Sequence, residues 1–166
     1  GEDTVTLTVS DADGTTATAT AALTVGERSG FPDDAFAPFV DVTLEAQDPL
    51  VESVSKAGTR NFVLAFVTAD GDGDPAWGGT QKVGEPSGWL DVGSQIEDLR
   101  SQEGGEVMVS FGGLDGTYLP ETTSDPTALK DKYKQVVEAY DVRHLDFDEE
   151  KLIRSQDTLD KVSLRN

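Results

Sequence analysis

The chain has 166 residues, enough to bury one good core or to hold parts of two domains. Its 32 Asp and Glu stand against 13 Lys and Arg, a formal net charge of −19, which repels phosphate backbones and anionic lipid and so argues against nucleic acid and membrane surfaces as partners. The absence of cysteine excludes disulfides, thiolate metal sites and cysteine nucleophiles together, and no apolar run approaches the ~20 residues of a membrane-spanning helix.

The acids are dispersed over recognisable hydrophobic segments, as in a folded protein with a heavily carboxylated surface. High ionic strength screens such self-repulsion, so a salt-rich habitat is expected. The chain opens at Gly1-Glu2-Asp3 directly into strand-like sequence, and we expect it to be cut from something longer.

Residues 4–10, Thr-Val-Thr-Leu-Thr-Val-Ser, alternate polar and apolar with many β-branched residues. Asp11-Ala12-Asp13-Gly14 is a turn signal, and Thr16 to Val25 resumes strand character, so a β-hairpin is predicted. Two strands alone are marginal in water, so residues 1–25 should close a larger β-sandwich. The breaker-rich residues 26–35 read as a linker.

From residue 36 the pattern changes. Phe36 to Leu44 is apolar and extended, and Asp48-Pro49 opens a helix to about Lys56, with Asp48 as N-cap. Asn61 to Thr68 is nearly all apolar, as in a parallel strand covered on both faces. A long polar loop, Ala69 to about Gly88, contains Trp77-Gly78-Gly79; a helix then spans about Asp91–Gln102 with Ile96 and Leu99 on one face, ended by Gly104-Gly105. Glu106 to Phe111 is a third buried strand closing in Gly112-Gly113, Asp125-Pro126 starts a helix through Ala139, and His144 to Glu150 is a fourth strand. Thr158 to Arg165 reads as the start of another helix. Strands alternating with helices predict an α/β fold with a parallel sheet, whose ligand site lies beyond the carboxyl ends of the strands.

The chemistry-bearing residues fall there. Along a continuous fourth strand Asp146, Asp148 and Glu150 share one face, while Leu145 and Phe147 lie on the other. Carboxyls that close cannot all ionise cheaply, so one should hold a proton near neutral pH, as a general acid must. On the third strand Met108 and Ser110 share a face, placing Ser110 to hydrogen-bond Asp146, and Gly112 and Gly113 leave room for a ligand or a neighbouring side chain. Trp77 could stack on a ligand or plug its own loop, and Tyr118 could line a subsite. His144 reads as a floor residue two positions deeper than Asp146. No cluster has convincing metal spacing: Asp70-Gly71-Asp72-Gly73-Asp74 lacks the twelfth-position Glu of a calcium loop.

Ser110-Phe111-Gly112-Gly113 matches the SxGG motif, and Asp146-Phe147-Asp148-Glu149-Glu150 the DxDxE motif, of glycoside hydrolase family 18, the chitinases and their relatives. The resemblance runs from about Phe36 to Arg165, and FAPFVDVTL, NFVLAFVT and the WGG loop are similar to chitinases of bacteria and haloarchaea. The opening TVTLTVSDADGTTATATAALTV resembles the closing strands of a polycystic-kidney-disease-type (PKD) sandwich domain. These resemblances imply three parts: residues 1–25 ending a PKD-like domain, a linker at 26–35, and residues 36–166 forming about four βα units, the first half of a (β/α)8 barrel that needs roughly 250 residues.

The resemblance also implies a secreted, monomeric enzyme without a cofactor, acting on chitin or chito-oligosaccharides by a substrate-assisted retaining route. Glu150 would be the acid and then the base, Asp148 would orient the substrate amide, Asp146 would share a proton with Asp148, and Ser110 would support Asp146. The family's tyrosine and tryptophan floor cannot be assigned here. Arg143 and Glu149 depart from the family pattern, the latter from an aromatic or aliphatic residue. A non-catalytic lectin-like relative and an endo-β-N-acetylglucosaminidase acting on glycans share enough of the motif to remain as alternatives.

Overall fold

The computed structural model describes residues 2–10, 13–14, 16–24, 30–32, 34–44, 50–86, 90–148 and 150. It divides into two units, Gly1–Gly30 and Phe31–Asn166. In the first, β1 (Glu2–Ser10) pairs antiparallel with β2 (Thr16–Thr24) in unbroken register from Glu2 opposite Thr24 to Ser10 opposite Thr16. This is the expected hairpin, and Gly14 takes a φ of +81° that suits glycine in the turn.

The second unit is a mixed sheet with helices against one face. Its parallel strands are β3 (Phe39–Asp41), β4 (Asn61–Ala69), β7 (Glu106–Gly112) and β8 (Leu145–Asp148), adjacent in that order. β4 and β7 are the long apolar runs and are buried almost throughout. A difference from the sequence reading lies after β4. The expected polar loop holds a small antiparallel hairpin, β5 (Pro75–Trp77) and β6 (Gln81–Lys82), and β5 pairs with the second half of β4. The outer edge of β4 therefore changes partner, from β3 at Ala65 to β5 at Val67, with a bulge between Leu64 and Val67 on the β7 side.

The helices are α1 (Leu50–Ala57), α2 (Val92–Asp98, continued by a π-helical turn Leu99–Glu103), the short α3 (Leu119–Thr122) and α4 (Pro126–Tyr140). Their starts follow from local chemistry. The Asp91 carboxylate accepts from the Ser94 amide at 3.0 Å and hydroxyl at 2.8 Å, which hold its pKa below the usual aspartate range. Asp125 caps α4 ahead of Pro126 by accepting from the Thr127 and Ala128 amides. The expected cap of α1 at Asp48-Pro49, and the helix expected over Thr158–Arg165, lie outside the described residues. Val40, Leu64, Val107, Val109 and Phe111 from the sheet meet Leu50, Ile96, Leu99 and Val136 from the helices in one core.

Arg100 ties this layer together. It donates to buried Glu106 at 2.6 and 2.9 Å and to the carbonyls of Tyr140 at 2.8 Å and Asp141 at 3.2 Å, joining α2, β7 and the end of α4. Replacing Arg100 by Ala removes the guanidinium from a carboxylate only 7% exposed. The expected loss, read by chemical denaturation, is about 3 kcal/mol.

Candidate active site

The alternation of β7 sends Val107, Val109 and Phe111 to the helical layer and leaves Ser110 on the opposite face. In β8 Phe147 does the same: its ring stacks on Phe111 at 5.5 Å and meets Tyr133 edge-on at 5.4 Å. With Leu145 and Phe147 committed to the helices, Asp146 and Asp148 face the other way. Ser110 lies opposite Asp146 in the register, and its hydroxyl donates to Asp146 Oδ2 at 2.6 Å. A short bond from a fully buried hydroxyl to a half-buried carboxylate fixes the orientation of that carboxylate.

The paired glycines lock the end of β8. Gly112, at φ +106°, lies opposite Asp148, and a Cβ there would collide with the Asp148 carbonyl. Gly113, at φ +83°, donates its amide to that carbonyl at 2.8 Å, and a Cβ on it would meet the Phe66 ring at 2.9 Å. Only glycine allows the chain to pass between the two.

The strand ends at Asp148. Glu150, half-buried, already has helical backbone, so the expectation of three carboxyls on one strand face is corrected: Asp146 and Asp148 share it, and Glu150 stands past the strand end. A strand that stops hands its next residues to the rules of the following element. The out-of-pattern Glu149 lies outside the described residues.

Two expected sugar contacts are corrected. Trp77 is 0% exposed, its Nε1 donates to the Tyr140 hydroxyl at 2.8 Å, and the two rings lie 5.8 Å apart. It is the local plug, with no face left for a ligand. Burial raises the Tyr140 pKa, opposed by the bonds from the Gly84 amide and from Trp77. Tyr118 is 5% exposed, and its hydroxyl donates to the Gly113 carbonyl at 2.7 Å. It braces the glycine loop instead of lining a subsite.

His144 is exposed at the foot of β8, with its ring 5.8 Å from Phe31. In the acidic loop after β4 the Asp70 carboxylate accepts from the amides of Asp74 and Asp72 at 2.9 Å each, which lower its pKa, while Lys132 holds the Gly73 carbonyl. Among the described residues no group of three His, Asp or Glu could hold a metal ion.

Sequence reasoning missed a pocket of about 270 Å³ beside the glycine pair, lined by Asp41, Thr43, Phe66, Thr68, Gly78 and the loop 112–116. A polar residue ending an apolar strand, Asp41 after Phe39-Val40, was the available signal. Gly112 and Gly113 connect the pocket wall to Asp148.

No family model matches the chain. The catalytic domain of the hyperthermophilic chitinase from Pyrococcus furiosus is 35% identical and superposes with a TM-score of 0.63, over 70% of this chain and 37% of that one. A catalytic-site mutant of active domain 2 of the thermostable chitinase from that organism, complexed with chito-oligosaccharides, is 34% identical with a TM-score of 0.67, over 75% of this chain and 40% of that one. The chain is similar to the catalytic domains of chitinases. The probable bifunctional chitinase/lysozyme of Escherichia coli K12 is 29% identical over 126 residues, 73% of this chain and 13% of that protein. Endochitinase 11 of Metarhizium anisopliae is 29% identical over 124 residues, 73% of this chain and 22% of that protein. The chain thus spans between about an eighth and a quarter of the length of these two chitinase relatives.

Proposed function

We propose that this chain is the first part of a chitin-cleaving catalytic domain, in which Glu150 is the proton donor. The observation that carries the proposal is the Ser110–Asp146 hydrogen bond at the ends of adjacent parallel strands, next to a glycine pair moulded around Asp148. Glu150 protonates the glycosidic oxygen and then, as carboxylate, takes a proton from water. The substrate's own acetamido oxygen attacks the anomeric carbon, Asp148 orients that amide and steadies the positive charge that develops, and Asp146, held by Ser110, exchanges a proton with Asp148.

The proposal includes a (β/α)8 barrel of which residues 36–166 are the first half, joined by a linker at 26–35 to the closing strands of a PKD-like domain at 1–25. Its support is the order of parallel strands and helices in one unit and the hairpin in the other. Phe39, 56% exposed on β3, is the kind of surface that further strands would cover. The acidic composition suits a secreted monomer in a salt-rich medium.

The test is release of reducing sugar by the full-length protein from chito-oligosaccharides and, in parallel, from N-glycans. Cleavage of the former is expected. Binding without cleavage would leave a lectin-like protein, and cleavage of N-glycans alone an endo-β-N-acetylglucosaminidase.

A further inference from the structure

The loop after the glycine pair is exposed from Leu114 to Thr117, yet both of its ends are pinned. At the far end the Thr117 carbonyl accepts from the amide of Ala69, the last residue of β4, at 2.7 Å. At the near end the Tyr118 hydroxyl reaches back across the loop to the Gly113 carbonyl at 2.7 Å. The tyrosine is itself seated by α3. It stands at the N-cap, where the Glu121 carboxylate accepts from its amide at 3.1 Å and the Glu121 amide donates to its carbonyl at 2.9 Å. The next residue, Leu119, is buried in the core.

Two tethers meet at Gly113. Its carbonyl is held by Tyr118, and its amide holds the Asp148 carbonyl at 2.8 Å. A glycine at φ +83° leaves both of its peptide planes free to swing unless something fixes them. Asp148 is the last residue of β8, and its pairing with Gly112 is the last of the β7–β8 ladder. The bond from Gly113 carries the contact one residue further, and the buried tyrosine hydroxyl sets the peptide plane from which it springs.

We propose that Tyr118 is a positioning residue for the reaction: through the main chain of Gly113 it fixes the end of β8, and with it the Asp148 carboxylate. The inference rests on the chitinase reading and adds to it a residue that acts through main-chain atoms from behind the loop.

The test is Tyr118→Phe in the full-length protein, which removes the hydroxyl and keeps the buried ring. The charge that Asp148 steadies exists only in the transition state, and a misplacement of about 1 Å can cost about 10²-fold in rate. With one tether lost, kcat on chito-oligosaccharides should fall about tenfold while KM changes less than about twofold. Tyr140→Phe is the control. Tyr140 is as buried as Tyr118 and accepts from Trp77 and Gly84 at the end of α4, so its loss should lower the denaturation midpoint and leave kcat per folded molecule as it is. An unchanged kcat in Tyr118→Phe, or an equal fall in both variants, overturns the proposal.

Should Tyr118→Phe fail to fold, Glu121→Ala decides, because Glu121 is exposed and its loss frees the amide that seats the tyrosine. A fall in kcat of about threefold at constant KM supports the proposal, and an unchanged kcat overturns it. A full-length protein inactive on chito-oligosaccharides overturns the chitinase reading, and hydrogen exchange then decides the tether. Exchange of the Gly113 amide should be about tenfold faster in whichever of the two variants folds, and an unchanged rate overturns the proposal.

Discussion

Replacing Glu150 by Gln in the full-length protein should lower hydrolysis of chito-oligosaccharides by about 10²–10⁴-fold, the usual contribution of a positioned general acid. Gln has the size and polarity of Glu, but its amide cannot deliver a proton to the leaving oxygen. Glu150 is half-buried just past β8, outside the core cluster, so the melting temperature should not change. Wild-type turnover by Glu150→Gln would refute its role. A large loss of activity together with a large loss of stability would point to a structural role instead, and the two readings separate in a single pair of measurements.

The second large effect is expected at Gly112→Ala. The residue has a φ of +106°, and the added methyl would run into the Asp148 main chain. Left-handed strain costs about 1–3 kcal/mol, and overpacking against a backbone that cannot rotate away adds a cost of similar size. Relief can come only by parting the ends of β7 and β8, which would displace Asp148. Both the denaturation midpoint and the activity should therefore fall, whereas Gly104→Ala at the end of the π-helical turn, where a Cβ meets nothing, should cost only its φ of +62°. Equal effects of the two substitutions would show that the close approach at Gly112 is not a constraint.

How much of this could be read beforehand depended on whether the cause was local. Asp125-Pro126 announced its helix because a cap acts on amides two or three residues away. β4 and β7 were legible as continuous apolar runs, and the facing of Ser110 and Asp146 followed from two strand alternations in step. The β5–β6 hairpin was not legible: three and two residues carry no periodicity, and the edge of β4 organises them. Glu150 was misplaced because the alternation was extended past the point where the strand stops. Trp77 and Tyr118 were ambiguous as aromatics in loops, and their burial was decided by Tyr140 and by the Gly113 carbonyl. Asp41 stood in plain view, but its pocket needs four segments of chain.

The exchange of partners along β4 has a consequence for how durable that pocket is. At Phe66 the hydrogen-bond ladder forks: the Val42 amide still reaches the Ala65 carbonyl, while the next carbonyl, that of Phe66, takes the Gly78 amide from the incoming hairpin. The pocket lies in the crotch of this fork, between two strands that have parted to accept different neighbours. Its opening is thus held by main-chain atoms, and the side chains lining it decide only what enters. Such a recess can change its occupant by substitution at Asp41, Thr43 or Leu114 without redrawing the sheet, which makes it a place where selectivity can drift while the carboxylates across the glycine pair stay as they are.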